Sequence, residues 1–260
     1  MIVGVNRVGG LGNQFFQYAA ARAVALRHGI VRIVLDQEMA NEHNHHQRNY
    51  AGTVFDGEEN PELFRSITTI FEQGGFADPW DVDMIEPPVR LGGYFQYLPP
   101  ILPVLPDLRS MIRKNLSSQR DLVRDRFAPF DGRTSVFLHV RRGDYLSKSY
   151  YHFVQPMSYY REAHRRLSRN EEKTVYIVSD DEAWVRQQDW GFAYTLVEEE
   201  DELVVFALMS LCRGGAIIAN SSFSWWGAMM ADPEQVFYPR RWVDAPIHCL
   251  FPDHWISIDA

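Results

Sequence analysis

The sequence predicts an α/β protein made of two Rossmann-like domains that face each other across a cleft. Strand patterns alternate with helix patterns at the start of the chain and again after residue 134. A proline-rich stretch lies between these two regions. The 260 residues suffice for two domains of about 120–130 residues each. We therefore expect an N-terminal domain over residues 1–130 and a C-terminal domain over residues 131–260.

The first domain begins with a strand–helix–strand unit. Residues 2–5 are typical of a short buried strand, and residues 13–28 carry apolar side chains at helical spacing. Residues 31–35 predict a second strand, which ends at Asp36. Such a unit implies a parallel sheet with a right-handed crossover. The six prolines of residues 37–100 indicate an irregular segment.

The second domain repeats the alternation after a helix over residues 107–126 and a linker over residues 125–134. A parallel sheet flanked by helices is again the expected result. The predicted strands cover residues 135–139, 174–178, 216–219 and 235–238, and the predicted helices cover residues 156–167, 182–188, 201–212 and 223–230.

The composition argues against several classes of protein. A formal charge of −8 argues against nucleic-acid binding, which needs a basic surface. Two cysteines, Cys212 and Cys249, are too few for a disulfide framework or a cysteine-only zinc site. No apolar run approaches the roughly 20 residues of a membrane-spanning helix, and the first residues lack a secretory-signal pattern. We expect a soluble, cytoplasmic protein.

A glycine-rich turn precedes the first predicted helix. Residues 10–15 begin like the dinucleotide fingerprint G-x-G-x-x-G, but Phe15 stands in place of the third glycine. The turn either eases the passage from strand to helix or lets bare amides approach a phosphate or a sugar. The missing glycine argues against a dehydrogenase.

Basic and acidic side chains follow the first strand of the second domain, in residues 139–145. His139 with Arg141 and Arg142 predicts a local positive site at a strand end, where α/β proteins bind ligands. Arg141 suits a bidentate contact with phosphate, and Asp144 can fix its orientation. The alternative is a surface network of ion pairs.

Serines and tryptophans occupy residues 220–227, between a predicted strand and a predicted helix. Ser221 and Ser222 can cap the helix and present hydroxyls and amides to an anion. Trp225 and Trp226 either stack on a sugar or a base, or belong to the core. The pattern leaves both roles open.

Three weaker patterns are better explained by ordinary structure. Asp81 and Asp83 have the D-x-D spacing of some metal-dependent transferases, but a chance match in an irregular segment explains them better. The histidines at residues 43, 45 and 46 indicate a polar loop rather than a metal site. The acidic residues 198–202 indicate a solvated helix start.

Four multi-residue motifs carry a resemblance to a known family. They stand in family order at residues 9–19, 93–96, 139–145 and 220–228, with a smaller match at Ser179-Asp180-Asp181. Together they resemble the bacterial-type α-1,2-fucosyltransferases of glycosyltransferase family 11. Because the matches extend over nearly the whole chain, the resemblance concerns both predicted domains.

The resemblance implies a GT-B fold and an inverting, metal-independent transferase. Such an enzyme moves L-fucose from GDP-fucose to the 2-hydroxyl of a galactoside in an oligosaccharide or glycan, and it uses no cofactor. The second domain would hold the donor. By similarity, Arg141 would bind the β-phosphate and stabilise the departing GDP. The donor-binding residues would be Gly12, Asn13, His139, Arg141, Asp144, Asn220, Ser221, Ser222, Phe223 and Ser224.

Two features of the chemistry stay open. The acceptor hydroxyl needs a proton acceptor, for which Asp36 is the candidate, with a purely structural role as the alternative. Val205 stands where family members commonly carry an aspartate that contacts guanine, and Asp201 and Glu202 lie about one helical turn earlier. The alternatives are another GDP-deoxyhexose donor, another acceptor hydroxyl, or an inactive glycan- or nucleotide-binding protein.

Overall fold

A computed structural model describes the protein over residues 1–30, 32–36, 48–74, 78–168 and 172–259. The chain forms two compact units. The first consists of Met1–Ser117 and Ala245–Pro252, and the second of Ser118–Asp244 and Asp253–Ala260. Each unit holds one parallel sheet, as the sequence predicts.

The described residues of the first unit form a sheet of five strands. They are β1 (Val3–Val5), β2 (Ile33–Leu35), β3 (Glu58–Glu59), β4 (Ile70–Glu72) and β5 (Val89–Gly92), in the order β3-β2-β1-β5-β4. The helices of this unit are α1 (Leu11–His28), α2 (Pro61–Ser66) and α3 (Leu105–Asn115). All the pairs in the sheet are parallel within the described residues.

The predicted strand–helix–strand unit is confirmed. Strands β1 and β2 pair in parallel, with Val3 opposite Ile33. Helix α1 begins at Leu11, slightly earlier than predicted, because Gly10 adopts the extended conformation of a helix-capping residue. It ends at Gly29, whose left-handed backbone (φ 63°) lets its N–H reach the last carbonyls of the helix.

In the second unit, the part of the chain that the structure describes forms a sheet of six strands. They are β6 (Ser135–Val140), β7 (Thr174–Ser179), β8 (Thr195–Leu196), β9 (Gly215–Ile217), β10 (Val236–Pro239) and β11 (Ile256–Ile258). The order β11-β10-β9-β6-β7-β8 is the Rossmann order, with the chain running outward to both sides from β6. The helices are α4 (Ser117–Arg126), α5 (Met157–Leu167), α6 (Glu182–Gln187), α7 (Glu202–Leu211) and α8 (Ser222–Ala231).

The central strands of this second sheet are largely apolar, because helices cover parallel sheets on both faces. All six residues of β6 are buried, and its polar members are Ser135 at the start and His139 near the end of the strand. Tyr159 on α5 is also fully buried. Its hydroxyl donates to the carbonyls of Ile218 (2.6 Å) and Phe237 (3.1 Å), which ties the helix to two neighbouring strands.

Where the structure describes it, the segment predicted to be irregular contains three short strands, one α-helix and a 3-10 turn at Val82–Met84. Strands β3, β4 and β5 have two to four residues, too few to produce a periodic sequence pattern. The prolines lie outside these strands, and Pro61 opens α2 rather than breaking it, with Asn60 as the capping residue. The three histidines considered as a metal site lie outside the described residues.

The structure divides the chain earlier than the expected boundary after residue 130. Helix α4 belongs with the second unit, where Arg126 forms an ion pair with Glu199 and the rings of Phe127 and Phe130 lie 5.6 Å from that of Tyr176. The single helix predicted over residues 107–126 is two helices, α3 and α4.

The last part of the chain also departs from a simple division into two halves. Residues Ala245–Pro252 return to the first unit, where the N–H of Leu98 donates to the carbonyl of Cys249 (3.0 Å). Among the described helices, none combines the length and the apolar character that a membrane span requires.

Replacing Arg126 with alanine tests the placement of α4 in the second unit. The side chain of Glu199 is only 9% exposed, so the variant leaves a nearly buried carboxylate without its guanidinium. We expect Arg126→Ala to lower the free energy of unfolding by about 1–3 kcal/mol in urea denaturation.

Arg124→Ala is the matched control on the same helix. Arg124 pairs with Asp121 at the surface, with 51% and 74% of the two side chains exposed, so its loss should cost under about 0.5 kcal/mol. Equal losses in the two variants would contradict the placement of α4.

Candidate functional site

Three loops meet at the carboxyl edge of the second sheet. They follow β9, β6 and β7, which are neighbours in that sheet. The chain leaves β6 toward β7 and later returns to the other side of β6 at β9, which makes this edge a topological switch point, where open α/β sheets bind ligands. The arginine motif and the serine motif, distant in sequence, are therefore adjacent here.

Tyr145 joins the two motifs directly. Its hydroxyl donates a hydrogen bond to the carbonyl of Asn220 (2.8 Å). The guanidinium of Arg141 lies over its ring, 5.4 Å from the centroid, and the ring of His152 stacks on it at 4.1 Å. Tyr145 was not singled out from the sequence, although its place in the arginine motif was visible there.

His139 is a buried, neutral imidazole. The residue is 4% exposed, and burial, with a smaller contribution from Arg141, lowers its pKa from 6.5 to about 3. Within the described part of the chain its Nδ1 makes no hydrogen bond. The ring of Phe223, at the start of α8, lies 6.0 Å away in an edge-to-face arrangement. His139 therefore brings hydrogen-bonding capacity to the site at neutral pH, but no charge.

Arg141 is held at both terminal nitrogens. Its Nη2 donates to Oδ1 of Asp144 (2.7 Å), which is the contact predicted from the sequence, and its Nη1 pairs with Oδ2 of Asp180 (3.0 Å). Burial alone would raise the pKa of Asp144, but Arg141 and Lys148 outweigh it and lower that pKa below its ordinary value. The Arg141 side chain keeps 29% of its surface exposed. It is thus oriented by carboxylates and still open to a ligand.

Arg142 has a structural role. Its Nε donates to Asp181 (3.0 Å), its backbone N–H donates to Asp180 (2.8 Å), and its guanidinium lies over the ring of Trp184 at 4.2 Å. The expected positive site is therefore balanced in charge: three cations face three carboxylates, and His139 is neutral. The edge therefore offers a ligand directed N–H donors rather than a net positive charge.

The loop after β9 is fixed by the amide of Asn220. Its Nδ2 donates to the carbonyl of Trp242 (2.8 Å) and its Oδ1 accepts from Gln155 (3.1 Å). Gln155, which sequence reasoning missed, is itself buried and also donates to the carbonyl of Arg241. Asn220 thus positions the loop from within the protein.

The three predicted serines differ in their surroundings. Ser221 occupies the capping position of α8, but its side chain makes no capping hydrogen bond, contrary to the expectation. Ser222 is the first residue of the helix. Ser224 is fully buried, and its hydroxyl donates to the carbonyls of Ser221 and Ala219. Ser221 and Ser222, with the first amides of α8, are the groups placed to contact an anion.

The tryptophan pair belongs to the core. Trp225 and Trp226 are both 0% exposed, and their rings contact each other at 5.0 Å. Trp225 also lies against Trp255, with 5.8 Å between ring centroids. Of the two roles left open by the sequence, the structure supports packing rather than stacking on a sugar or a base.

The glycine turn of the first unit is held by side-chain amides. Both ends of the Gln17 amide bind the backbone of Val8 (3.0 and 3.2 Å), and Gln96 donates to Oδ1 of Asn13 (3.0 Å). Gly12 and Asn13 lie in the first turn of α1, beside the switch point between β1 and β5. A Cβ on Gly9 (φ 79°) would lie 2.6 Å from Nδ2 of Asn13, so only glycine fits there.

Asp36 is the counter-ion of a buried arginine. It is 8% exposed, and its Oδ1 accepts from the backbone N–H (3.2 Å) and the Nε (3.0 Å) of Arg7, which is fully buried. Burial raises the pKa of Asp36 above its ordinary value despite Arg7. This geometry favours a structural role over the role of proton acceptor suggested by its position after β2.

The other acidic residues considered in the sequence analysis, Asp81, Asp83 and Asp201, have local structural roles. Oδ1 of Asp81 accepts from the N–H of Asp83 (2.9 Å), and Asp83 pairs with Arg27. Asp201 caps α7 through the N–H of Leu203 (2.9 Å), as expected for a helix start. Val205, four residues later, is a buried part of that helix.

The chain matches a known protein family. A model described as glycosyl transferase family 11 matches residues 91–258, well over half of the chain. Two relatives from Escherichia coli are the O-antigen biosynthesis glycosyltransferase WbnK, 36% identical over 132 residues, and an alpha-1,2-colitosyltransferase, 32% identical over 143 residues. These alignments include 46% and 48% of this chain, and 43% and 48% of the relatives. The chain thus matches less than half the length of either relative.

Solved structures agree with the observed architecture. The crystal structure of NodZ alpha-1,6-fucosyltransferase soaked with GDP-fucose matches with a TM-score of 0.54 at 15% identity, covering 88% of this chain and 92% of that one. A family 9 glycosyl transferase from Veillonella parvula matches with a TM-score of 0.50 at 11% identity, covering 99% and 86%. At such identities the likeness concerns the fold. The predicted two-domain α/β fold of the GT-B type is confirmed.

The burial of His139 predicts a pH dependence of stability. The unfolded chain binds a proton near pH 6.5, whereas the folded protein does so only near pH 3. The contribution of His139 to the free energy of unfolding is therefore intact above its pKa in the unfolded chain. It is lost as the pH falls toward its pKa in the folded protein, by up to about 1.4 kcal/mol per pH unit. We expect His139→Gln to flatten the fall in unfolding free energy between pH 7 and pH 5.

His254→Gln, at an exposed position in the same unit, is the control for this measurement. Urea unfolding at several pH values gives the slopes for both variants and the unmodified protein. Identical slopes in all three would contradict a neutral, buried His139.

Proposed function

The chain belongs to glycosyltransferase family 11, and from this premise we propose that it transfers L-fucose from GDP-fucose to the 2-hydroxyl of a galactoside. The product would carry an α-1,2 linkage, formed with inversion at the sugar carbon. Family membership supports glycosyl transfer in general. The names of the relatives support glycan synthesis, and the NodZ structure soaked with GDP-fucose supports a GDP-sugar donor.

The geometry of Arg141 is the observation that carries the proposal. Departure of GDP places negative charge on its β-phosphate, and a transferase needs fixed donors where that charge develops. Arg141 supplies a guanidinium already held by Asp144 and Asp180. The start of α8, with Ser221 and Ser222, supplies amides and hydroxyls favoured by the helix dipole. In this proposal the protein's own donors stabilise the leaving group, and no metal is required.

His139 and Asn220 support the donor in different ways. As a neutral imidazole, His139 forms a hydrogen bond to the nucleotide without changing the charge balance around Arg141. Asn220 holds the loop that presents Ser221, and Phe223 lies against the His139 ring. Gly12 and Asn13 are the proposed contribution of the first unit to donor binding.

Two observations favour a GDP-sugar other than GDP-fucose as the donor substrate. One relative is named an alpha-1,2-colitosyltransferase. The buried Val205 stands where the family resemblance leads us to expect an aspartate. Another GDP-deoxyhexose, with GDP-colitose tried first, is therefore the alternative to GDP-fucose.

Acceptor-dependent GDP release tests the proposal. Purified protein is incubated with chelator, a lactose-type acceptor and either GDP-fucose or GDP-colitose, and the product is identified by mass spectrometry and NMR. A fucosylated product with an α-1,2 linkage supports the main proposal, and turnover with GDP-colitose alone supports the alternative. Nucleotide binding without turnover on a panel of acceptors and donors would contradict both and indicate a binding protein.

Replacing Arg141 tests its role in that reaction. We expect Arg141→Ala to reduce kcat by about 10²–10³-fold, because the leaving group loses a charged donor that acts in the transition state. Arg165→Ala removes an equal charge from an exposed pair on α5 and should leave kcat unchanged. Full activity of the Arg141 variant, measured by GDP release, would remove this residue from the mechanism.

A further inference from the structure

The carboxylate of Asp180 bridges two consecutive arginines. Its Oδ1 accepts from the backbone N–H of Arg142 (2.8 Å), and its Oδ2 pairs with Nη1 of Arg141 (3.0 Å). Asp180 directly follows β7, whereas the arginines directly follow β6. One side chain therefore ties the ends of two neighbouring strands together and fixes the Arg141 side chain between them.

The loop is shaped to admit this carboxylate. A Cβ on Gly143 would lie 2.5 Å from Oδ2 of Asp180 and 3.2 Å from its Cγ. Such a contact is closer than non-bonded atoms tolerate, so any larger residue at this position displaces the carboxylate. Gly143 and Asp180 thus form one arrangement, although they are far apart in the sequence.

The neighbouring Asp181 has a different task. Its Oδ1 accepts from the N–H of Trp184 (3.0 Å) and caps α6, and its Oδ2 accepts from Nε of Arg142 (3.0 Å). The side chain of Arg142 is only 17% exposed and lies over the Trp184 ring. Asp181 therefore stabilises α6 and Arg142, and within the described residues it forms no hydrogen bond or ion pair with Arg141.

We propose that Asp180 is a positioning residue that sets the orientation of the Arg141 guanidinium toward the departing phosphate. The inference rests on the proposed function. With Nη2 on Asp144 and Nη1 on Asp180, both ends of the guanidinium plane are fixed before a donor binds. A hydrogen-bonding group that is oriented in advance stabilises charge in the transition state without reorganising at the moment of reaction.

Asp180 affects ground state and transition state differently. Its negative charge opposes that of a bound diphosphate, so its removal weakens the orientation of Arg141 but also removes a repulsion. These two effects oppose each other in donor binding. In the transition state we expect the orientation to outweigh the repulsion, because a hydrogen bond to the oxygen that gains charge depends steeply on its direction. The repulsion from Asp180 is weakened by its contacts with Arg141 and Arg142 and depends little on direction. A split between kcat and KM therefore distinguishes positioning from simple binding.

Steady-state kinetics of two amide variants test the inference. We expect Asp180→Asn to lower kcat by about 10²-fold, the size of effect that a small misplacement of a reacting group produces, with a much smaller change in donor KM. Asp181→Asn changes the charge equally one residue away, keeps a side chain able to cap α6, and should change kcat far less. An unchanged kcat in Asp180→Asn, or a rise in KM alone, would overturn the inference.

Gly143→Ala is an independent way to remove the contact between Asp180 and Arg141. It keeps every charge and displaces Asp180 by contact, so it should reproduce the loss of kcat. The double variant Asp180→Asn, Gly143→Ala should be no slower than the slower single variant, because each change removes the same contact between Asp180 and Arg141. Additive losses would overturn the inference. Thermal unfolding of each variant identifies any that fail to fold.

A spectroscopic measurement separates this inference from the proposed function. In protein labelled with ¹⁵N-arginine, the Arg141 side chain, assigned by its absence in Arg141→Lys, should show distinct Nη signals that reflect restricted rotation. We expect Asp180→Asn and Gly143→Ala to merge these signals and Asp181→Asn to preserve them. Persistent signals in Asp180→Asn would overturn the inference. If the unmodified protein turns over no GDP-sugar, the proposed function fails, and this spectroscopic comparison still decides whether Asp180 orients Arg141.

Discussion

A guanidinium held between two carboxylates at the end of a buried strand is the central interaction of the second unit. Arg141 can remain in this half-buried position because Asp144 and Asp180 offset its charge. The same pairing prevents an excess of positive charge at the sheet edge. In the proposed donor site, a diphosphate would be recognised by the direction of N–H groups, from Arg141 and from the first turn of α8, rather than by a positive field.

The topology of the sheet makes this arrangement possible. Because β7, β6 and β9 are adjacent and parallel, the residues that follow them lie at one edge, although they span more than half of the second unit in sequence. Hydrogen bonds then fix the three loops to one another: Asp180 binds the loop after β6, and Tyr145 of that loop binds Asn220 after β9. The rigid scaffold thus supports a site made of loops.

Sequence reasoning found the long elements and the two motifs of the second unit, because periodic apolar patterns and strand-end polar residues are local signals. It missed β3, β4, β5, β8 and β11, which have two to four residues and take their strand structure from neighbours in the sheet. It also overestimated the positive charge around Arg141, because the compensating Asp180 and Asp181 follow a different strand. The choice between core and ligand contact for Trp225 depended on burial, which the local pattern does not determine.

The claim that nucleotide binds at the switch point of the second sheet is tested most directly by hydrogen–deuterium exchange with and without GDP. We expect GDP to slow the exchange of backbone amides in the loops after β6 and β9, at residues 141–145 and 220–224. Exchange in the loop after β7, at residues 180–182, should also slow, because this loop contacts Arg141 and Arg142. GDP binding that leaves exchange in these three loops unchanged, with protection elsewhere in the chain, would contradict nucleotide binding at this switch point.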